Sequence, residues 1–294
     1  MEQHVTTGVS DRRLEATSSR NRSTTVVVPR GAWRSVRLDE VWQQRELLLY
    51  LVWRDIRVRY AQAVLGIAWT VIQPLALMLI FTFVFSYLAH VQAPGNIPYA
   101  VVSFAGLVPW LYVSQAIGRG STSVVSNVSL VSKIYFPRLI IPAAGVFAPL
   151  ADLLVAFGVL LALLAAYGRA PSWHIVALPA FILFAVATAL AAVLWLSALN
   201  VRYRDVTYLV PVFLQLWMYA SPVGYPSTLV PDRWQTLYLL NPLATVIEGF
   251  RWSVLGTGVL HAASIAGGAA IVALFLVGGL FFFSRAQRAF ADII

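Results

Sequence analysis

Of 294 residues, 60% are hydrophobic and 11% charged, and the mean hydropathy is +0.77. A soluble domain spends about a quarter of its residues on charge, so a water-soluble globule is excluded and a bilayer is implied as solvent. The net charge of +9 does not mark a nucleic-acid binder, because the basic residues lie in the N-terminal region and between apolar segments rather than in one patch.

Residues 1–31 are rich in Ser, Thr and Arg, with only the short apolar run Val26–Val28 before Pro29. They read as a disordered cytoplasmic tail without the apolar core of a cleaved signal. An organelle presequence is the rival reading, opposed by Asp11 and Glu15.

Residues 32–62 form an expected amphipathic interface region. In ELLLYLVWRDIRVRY (Glu46–Tyr60), helical spacing brings Leu49, Val52, Trp53, Ile56 and Tyr60 to one face, with Arg54, Asp55, Arg57 and Arg59 elsewhere. Such a helix lies along the inner leaflet, either as an anchor on anionic lipid or as a gate for a lipid phosphate or pyrophosphate. Guanidinium forks match phosphate oxygens in pairs, which makes Arg54, Arg57, Arg59 and Tyr60 the substrate-entry candidates.

Residues 63–294 read as the transmembrane domain. No formal charge occurs from Ala61 to Gly118, and the His90–Pro98 segment, with Pro94, Gly95, Asn96 and Pro98, divides that stretch by a turn. Spans are expected at Ala68–Ala89, Tyr99–Gly118, Ile141–Tyr167, Trp173–Leu199, Val206–Pro222 and Ala262–Ser284, six in all. The apolar stretch Trp234–Ile247 is too short and contains Pro242, so it reads as re-entrant or interfacial. With both termini inside, eighteen of the 21 basic residues fall on the cytoplasmic side. Arg169, Arg233 and Arg251 fall outside, an asymmetry that supports the count and the direction.

Between the second and third spans, NVSLVSKIYFPR (Asn127–Arg138) is too polar to cross and too apolar for a free loop. It is expected to be a short helix that offers Leu130, Ile134, Tyr135 and Phe136 to a cytoplasmic partner or to the headgroups. Arg202, Tyr203, Arg204 and Asp205 make a second cytoplasmic loop.

After the fifth span, four prolines between Pro222 and Pro242 forbid one continuous helix. Irregular backbone at membrane depth is buried or lines a wet cavity, so this connection is an outward gate or a cap over the bundle. Trp110, Tyr112, Trp217, Tyr219, Pro222 and Tyr225 are the gate or pore candidates, as belt anchors or as aromatic planes for sugar rings. Asp152 is the one formal charge inside an expected span, and Glu248 and Arg251 are spaced to pair on a helix.

Catalytic signatures do not appear. The histidines at 4, 90, 174 and 261 are scattered, no DxD or HExxH pattern occurs, and the absence of cysteine excludes disulfides and thiolate metal sites. A P-loop needs Gly-Lys-Ser/Thr, whereas the single lysine, Lys133, follows Ser132, so no P-loop motif is read on this chain.

Five segments together resemble the ABC-2 type permeases that export polysaccharides, the O-antigen and teichoic-acid exporter group. They are RDIRVRY with VLGIAWTVIQPL (Arg54–Leu75), LVPWLYVSQAI (Leu107–Ile117), NVSLVSKIYFPRLIIP (Asn127–Pro142), LNVRYRDVTYLVPVFLQLWMYASPVGYP (Leu199–Pro226) and LNPLATVIEGFRWSVLG (Leu240–Gly256). The resemblance implies an all-α, six-span subunit in a bacterial plasma membrane, working as a homodimer with two separate ATP-binding subunits. Cofactors are then none on this chain, with ATP and Mg on the partner, and the cargo is a lipid-linked glycan of O-antigen, teichoic-acid or galactan type. By the same likeness Asn127–Arg138, with Leu130, Lys133, Ile134, Tyr135, Phe136 and Arg138, is the coupling helix, and Ser221–Gly256 supplies gate helices. The family usually carries a polar or basic residue where this chain has Ala61 and a hydroxyl where it has Ala63, which leaves the arginines as the better phosphate ligands. An ion-coupled secondary transporter or flippase is the alternative, and it would need intramembrane acids beyond Asp152.

Overall fold

A computed structural model describes residues 38–61, 68–133, 136–231, 233–234, 238, 240–258, 260–288 and 290, with the side chains of 38, 96 and 131–133 outside that description. The tail expected over residues 1–31 lies outside the described residues. Among the described residues all regular structure is helical.

The chain enters through α1 (Leu38–Gln43) and α2 (Arg45–Ala61), then α3 (Ala68–Phe81), which continues as a π-helical stretch Thr82–Leu88. Thr82 Oγ1 donates to the Met78 carbonyl at 2.7 Å where the helical register changes. The expected turn follows: Pro94–Asn96 is a tight 3₁₀ turn in which Gly95 takes φ 69°, open to glycine at no steric cost. Then come α4 (Tyr99–Ser126), α5 (Val128–Lys133), α6 (Ile140–Phe147), α7 (Leu150–Ala166), α8 (Leu178–Arg202), α9 (Val206–Tyr219), α10 (Pro242–Leu255) and α11 (Ala262–Ala286).

Among the described residues, five helical stretches of 21 to 30 residues are long and apolar enough to cross a bilayer: Ala68–Leu88, Tyr99–Ser126, Ile140–Ala166, Trp173–Arg202 and Ala262–Ala286. The third is α6 and α7 joined at Ala148–Pro149, where proline lacks the N–H that would continue the ladder. The expected fifth span is shorter than its reading. α9 has 14 residues and stops at Tyr219, about 21 Å of helix against a hydrocarbon core of about 30 Å. Pro222 biases Ser221 away from the helical region, and this ends the element before the expected Pro222 boundary. In the opposite direction α4 runs on to Ser126, past the expected end at Gly118. Ser121, Ser123 and Ser126 return their hydroxyls to the carbonyls of Gly118, Gly120 and Thr122, so these polar side chains are satisfied within the helix itself.

α4 is the axis of the fold and packs against α3, α6, α7, α8, α9 and α10. Val101, Phe104, Leu107, Val108, Val113 and Ile117 are wholly buried along it. α4 and α6 approach backbone to backbone at Gly120 and Gly145: a Cβ on Gly145 would sit 2.9 Å from Gly120 Cα, and one on Gly120 would sit 2.6 Å from Val193 of α8. Lipid supplies no hydrophobic drive between helices, so backbone approach over glycine is how three of them gain dispersion contact.

A second cluster closes one end of the bundle. Leu51 of α2 meets Val124, Ile140, Ile141, Ala198, Val201, Phe283 and Phe290 there, with Leu47, Leu48 and Val52 packed beside it. Of the apolar face suggested by its spacing, Val52, Ile56 and Tyr60 are half-buried and Leu49 and Trp53 are exposed. Leu49 and Trp53 are 65% and 64% exposed, because α2 packs against α6 and the second cluster through Leu47, Leu48 and Leu51. α3 and α9 likewise expose Leu79, Phe83 and Tyr87, and Tyr208, Leu209, Val212 and Leu216. Helices that are apolar all round are matched to hydrocarbon or to another helix.

Candidate functional site

Polar side chains gather in three places. The first is the end of α2. Arg54 donates to Asp55 Oδ1 from Nε at 3.0 Å and from Nη2 at 2.8 Å, and Nη2 also reaches Asn127 Oδ1 at 3.1 Å. Arg59 forms an ion pair with Asp152 of α7, and the Tyr60 hydroxyl donates to the other carboxylate oxygen. Asp152 is 5% exposed, and a buried carboxylate is tolerated where a cation and a donor answer it. Burial draws the Arg59 guanidinium below its ordinary value, while Tyr60 and Asp55 act in the opposite sense. Its Nε and Nη2 are buried without a hydrogen-bond partner. Arg57 is exposed. The structure thus brings Arg59, Tyr60 and Asp152 together, directs Arg54 to Asn127, and leaves Arg57 outward.

The second place is the cytoplasm-assigned end of α4 and the segment after it. Asn127 closes α4 and returns its amide to the Ser123 carbonyl at 2.8 Å. Leu130 packs partly against the second cluster, and Phe136, expected to meet a partner, is 8% exposed inside that cluster. The aromatic ring finds Leu51, Ile140 and Phe290 within its own chain, a burial that spacing alone does not reveal. Arg138 donates to the Gln287 carbonyl, which ties this segment to the end of α11. The Lys133 side chain, Ile134 and Tyr135 lie outside the described residues. Arg202, Tyr203, Arg204 and Asp205 form an exposed loop, with the Arg202 guanidinium 5.6 Å from the Tyr203 ring centre. Beneath it Asn200 donates to the Ser121 carbonyl at 3.0 Å and accepts from Thr207 Oγ1 at 3.0 Å.

The third place is the hairpin after α9. Arg251 of α10, 3% exposed, donates from Nη2 to Val223 O at 2.9 Å, from Nη1 to Tyr225 O at 3.2 Å and Glu248 Oε1 at 3.3 Å, and from Nε to Val102 O at 3.3 Å. Arg251, assigned by sequence to an outside segment and spaced to pair with Glu248, makes that pair and staples α10, α4 and the Ser221–Pro226 loop together. Gly106 makes the room, since a Cβ there would lie 2.4 Å from Val223 O and 2.5 Å from Arg251 Nη2. The Tyr99 hydroxyl donates to Gly224 O on the same loop. Pro242, read as an interruption, opens α10: Asn241 caps it by accepting from the Leu243 amide at 3.1 Å, and proline at the first turn has no N–H to lose. Asn241 also accepts from Trp217 Nε1 at 3.0 Å and donates to Ser221 Oγ at 2.8 Å.

The six gate or pore candidates divide. Trp110 and Tyr112 fill the core, with the Tyr112 hydroxyl on the Val146 carbonyl at 3.3 Å. Pro222 is buried in the hairpin, Trp217 and Tyr225 are half-buried, and Tyr219 is exposed. Tyr225 donates to the Tyr219 carbonyl at 2.9 Å, and burial raises the Tyr225 and Tyr238 phenols above their ordinary value. Behind the hairpin, Ser227, Tyr238, Thr245, Glu248, His261 and Ser264 line a cavity of about 130 Å³. Asn127, Asn200 and Asn241 were passed over in the sequence. Their signal was an amide in an otherwise apolar segment, which must find partners when buried.

Comparison with known proteins places this arrangement. The family model for ABC-2 type transporters matches residues 46–255, from α2 to the end of α10. The O-antigen export system permease protein RfbA of Myxococcus xanthus is 33% identical over 214 residues, 72% of this chain and 81% of that protein. RfbA of Klebsiella pneumoniae is 28% identical over 250 residues, 85% and 95% of the two chains. The polysialic acid transport protein KpsM of Escherichia coli is 25% identical over 207 residues, 69% and 78%. With the match running unbroken through the three polar clusters, the chain belongs to the ABC-2 type transporter family.

Proposed function

We propose that the chain is the transmembrane permease subunit of an ATP-driven exporter that carries a polyprenyl-diphosphate-linked polysaccharide outward across the plasma membrane. The observation that carries this reading is the likeness to O-antigen export permeases, which extends over 95% of one relative's length. Six passes with both termini in the cytoplasm require α9 to serve as the fifth crossing. The charge asymmetry supports that parity, since five passes would put the ends of α4 and α11 on opposite sides although Arg138 joins them. ATP is hydrolysed by two copies of a separate subunit, because the lone lysine has no P-loop around it. A second copy of this chain covers part of the apolar surface of α3 and α9, and the cargo passes between the copies.

The cargo enters at the end of α2. Arg59 has two buried donors, Nε and Nη2, without partners; phosphate oxygens satisfy a guanidinium in that bidentate way. Arg57, exposed beside it, adds the first electrostatic contact. Asp152 is engaged by Arg59 and Tyr60, which removes the acid that an ion-coupled transporter would have needed.

The experiment is co-expression with a candidate ATP-binding subunit, followed by reconstitution with lipid-linked glycan. The complex is expected to co-purify and to move glycan only with ATP. Transport that follows a proton gradient without ATP, or a failure to form any complex, overturns the reading.

A further inference from the structure

We propose that the cleft between the cytoplasm-assigned ends of α8 and α11 is a binding site for an acidic phospholipid, with Arg202 and Arg285 on its phosphate and an acyl chain along Leu199, Val201, Phe282 and Phe290. The cleft measures about 290 Å³, and among the described residues those two arginines are the only charged ones that line it. Both arginines are exposed, and among the described residues neither is paired with a carboxylate; Arg202 has only the Tyr203 ring as a recorded contact.

Three features together select this ligand. The spans Trp173–Arg202 and Ala262–Ala286 end side by side here, which sets the guanidinium groups at headgroup depth and the apolar wall at acyl depth. Phe290, after α11, stacks edge-to-face on Phe283 at 5.5 Å and is buried, so an aromatic ring floors the cleft. Each arginine also lies in the last turn of its helix, where a cation suits the dipole, but that explains the charges and not the hydrocarbon cleft between them. An inorganic anion would have no use for the apolar wall, and a neutral lipid would leave both cations unanswered. Basic pockets between spans on the cytoplasmic face take anionic headgroups for these reasons. The inference borrows the six-pass reading only to choose the leaflet.

Native mass spectrometry of the purified full-length chain, equilibrated with phosphatidylglycerol or phosphatidylcholine, tests it without reference to transport. The wild type is expected to retain phosphatidylglycerol preferentially. Arg202→Gln with Arg285→Gln should weaken that retention about 30-fold, from two surface arginines, while Arg233→Gln on the opposite face leaves it intact. Ala286→Phe, which keeps both charges and fills the cleft, should also abolish retention, and millimolar inorganic phosphate should not compete. Equal retention of both lipids, unchanged retention in the double variant or in Ala286→Phe, or displacement by phosphate overturns the proposal. So does a double variant that keeps its lipid and loses only the ATP-binding subunit, which would make the arginines a protein contact.

Discussion

Arg54 of α2 donates through Nη2 to Asn127 Oδ1 at 3.1 Å, and this bond ties the helix ahead of the first span to the residue that separates α4 from α5. The two residues are 73 positions apart. In the proposed exporter they join the entry helix to the segment nearest the ATP-binding subunit. A double-mutant cycle on Arg54→Ala and Asn127→Ala should show coupling of about 1 kcal/mol in unfolding from mixed micelles. Strictly additive losses would mean that the bond carries nothing.

The Arg59–Asp152 pair separates structure from entry chemistry. Asp152→Leu alone strands a buried guanidinium and should cost about 3–5 kcal/mol, seen as a lower unfolding temperature. Adding Arg59→Leu removes the stranded charge and should restore most of the stability. Export should stay lost in the double variant, because the donors proposed for phosphate are gone. Recovery of both stability and export would assign Arg59 a purely structural role.

Arg251 presents a planar fork to three carbonyls and Glu248. Lysine offers a single point of charge and cannot reach Val102, Val223 and Tyr225 together, so Arg251→Lys should free the Ser221–Pro226 loop. Gly106→Ala should have the same effect by displacing Arg251. The chain has no native cysteine, so the rate of maleimide labelling of Ser221→Cys reports the change directly. The labelling rate should rise at least tenfold in either background, and an unchanged rate would show that Tyr99 and Asn241 hold the loop alone.

Lys133 is the only lysine, which makes it a topology probe. An impermeant amine reagent should modify it in inside-out vesicles and not in right-side-out ones, with Lys133→Arg as the blank. Modification from outside would refute the six-pass orientation and the docking role of the segment together.

Gly145 tests the packing at the axis. Replacing it with Leu drives a branched side chain into Gly120, at the point where α4 and α6 meet backbone to backbone. A loss of about 1–3 kcal/mol or more is expected, measured by thermal unfolding in detergent, whereas Gly158→Leu, which meets open space, should be neutral.

The long spans were legible because a bilayer penalises every unpaired backbone group and every charge, so helix length and the absence of Asp, Glu, Lys and Arg are written residue by residue. The turn at Pro94–Asn96 was legible for the same local reason: only glycine adopts Gly95's backbone freely. The boundaries failed where the deciding interaction was not hydropathy. α4 continued through a polar stretch whose serines bond back to its own carbonyls, and Pro222 cut α9 short.

The amino-acid order alone determined a membrane protein whose basic residues lie outside its apolar spans, a chain with a single lysine and no P-loop motif, and a proline-broken hairpin, since each depends on residue type and near neighbours. Only the tertiary structure decided which faces are used. That Leu51 rather than Trp53 seats α2, that Phe136 turns inward, that Asp152 answers Arg59, and that Arg251 staples the hairpin all follow from contacts between residues distant in the chain. In apolar helices every side is hydrophobic, so periodicity cannot say which side meets protein and which meets lipid; shape and a few buried hydrogen bonds make that choice.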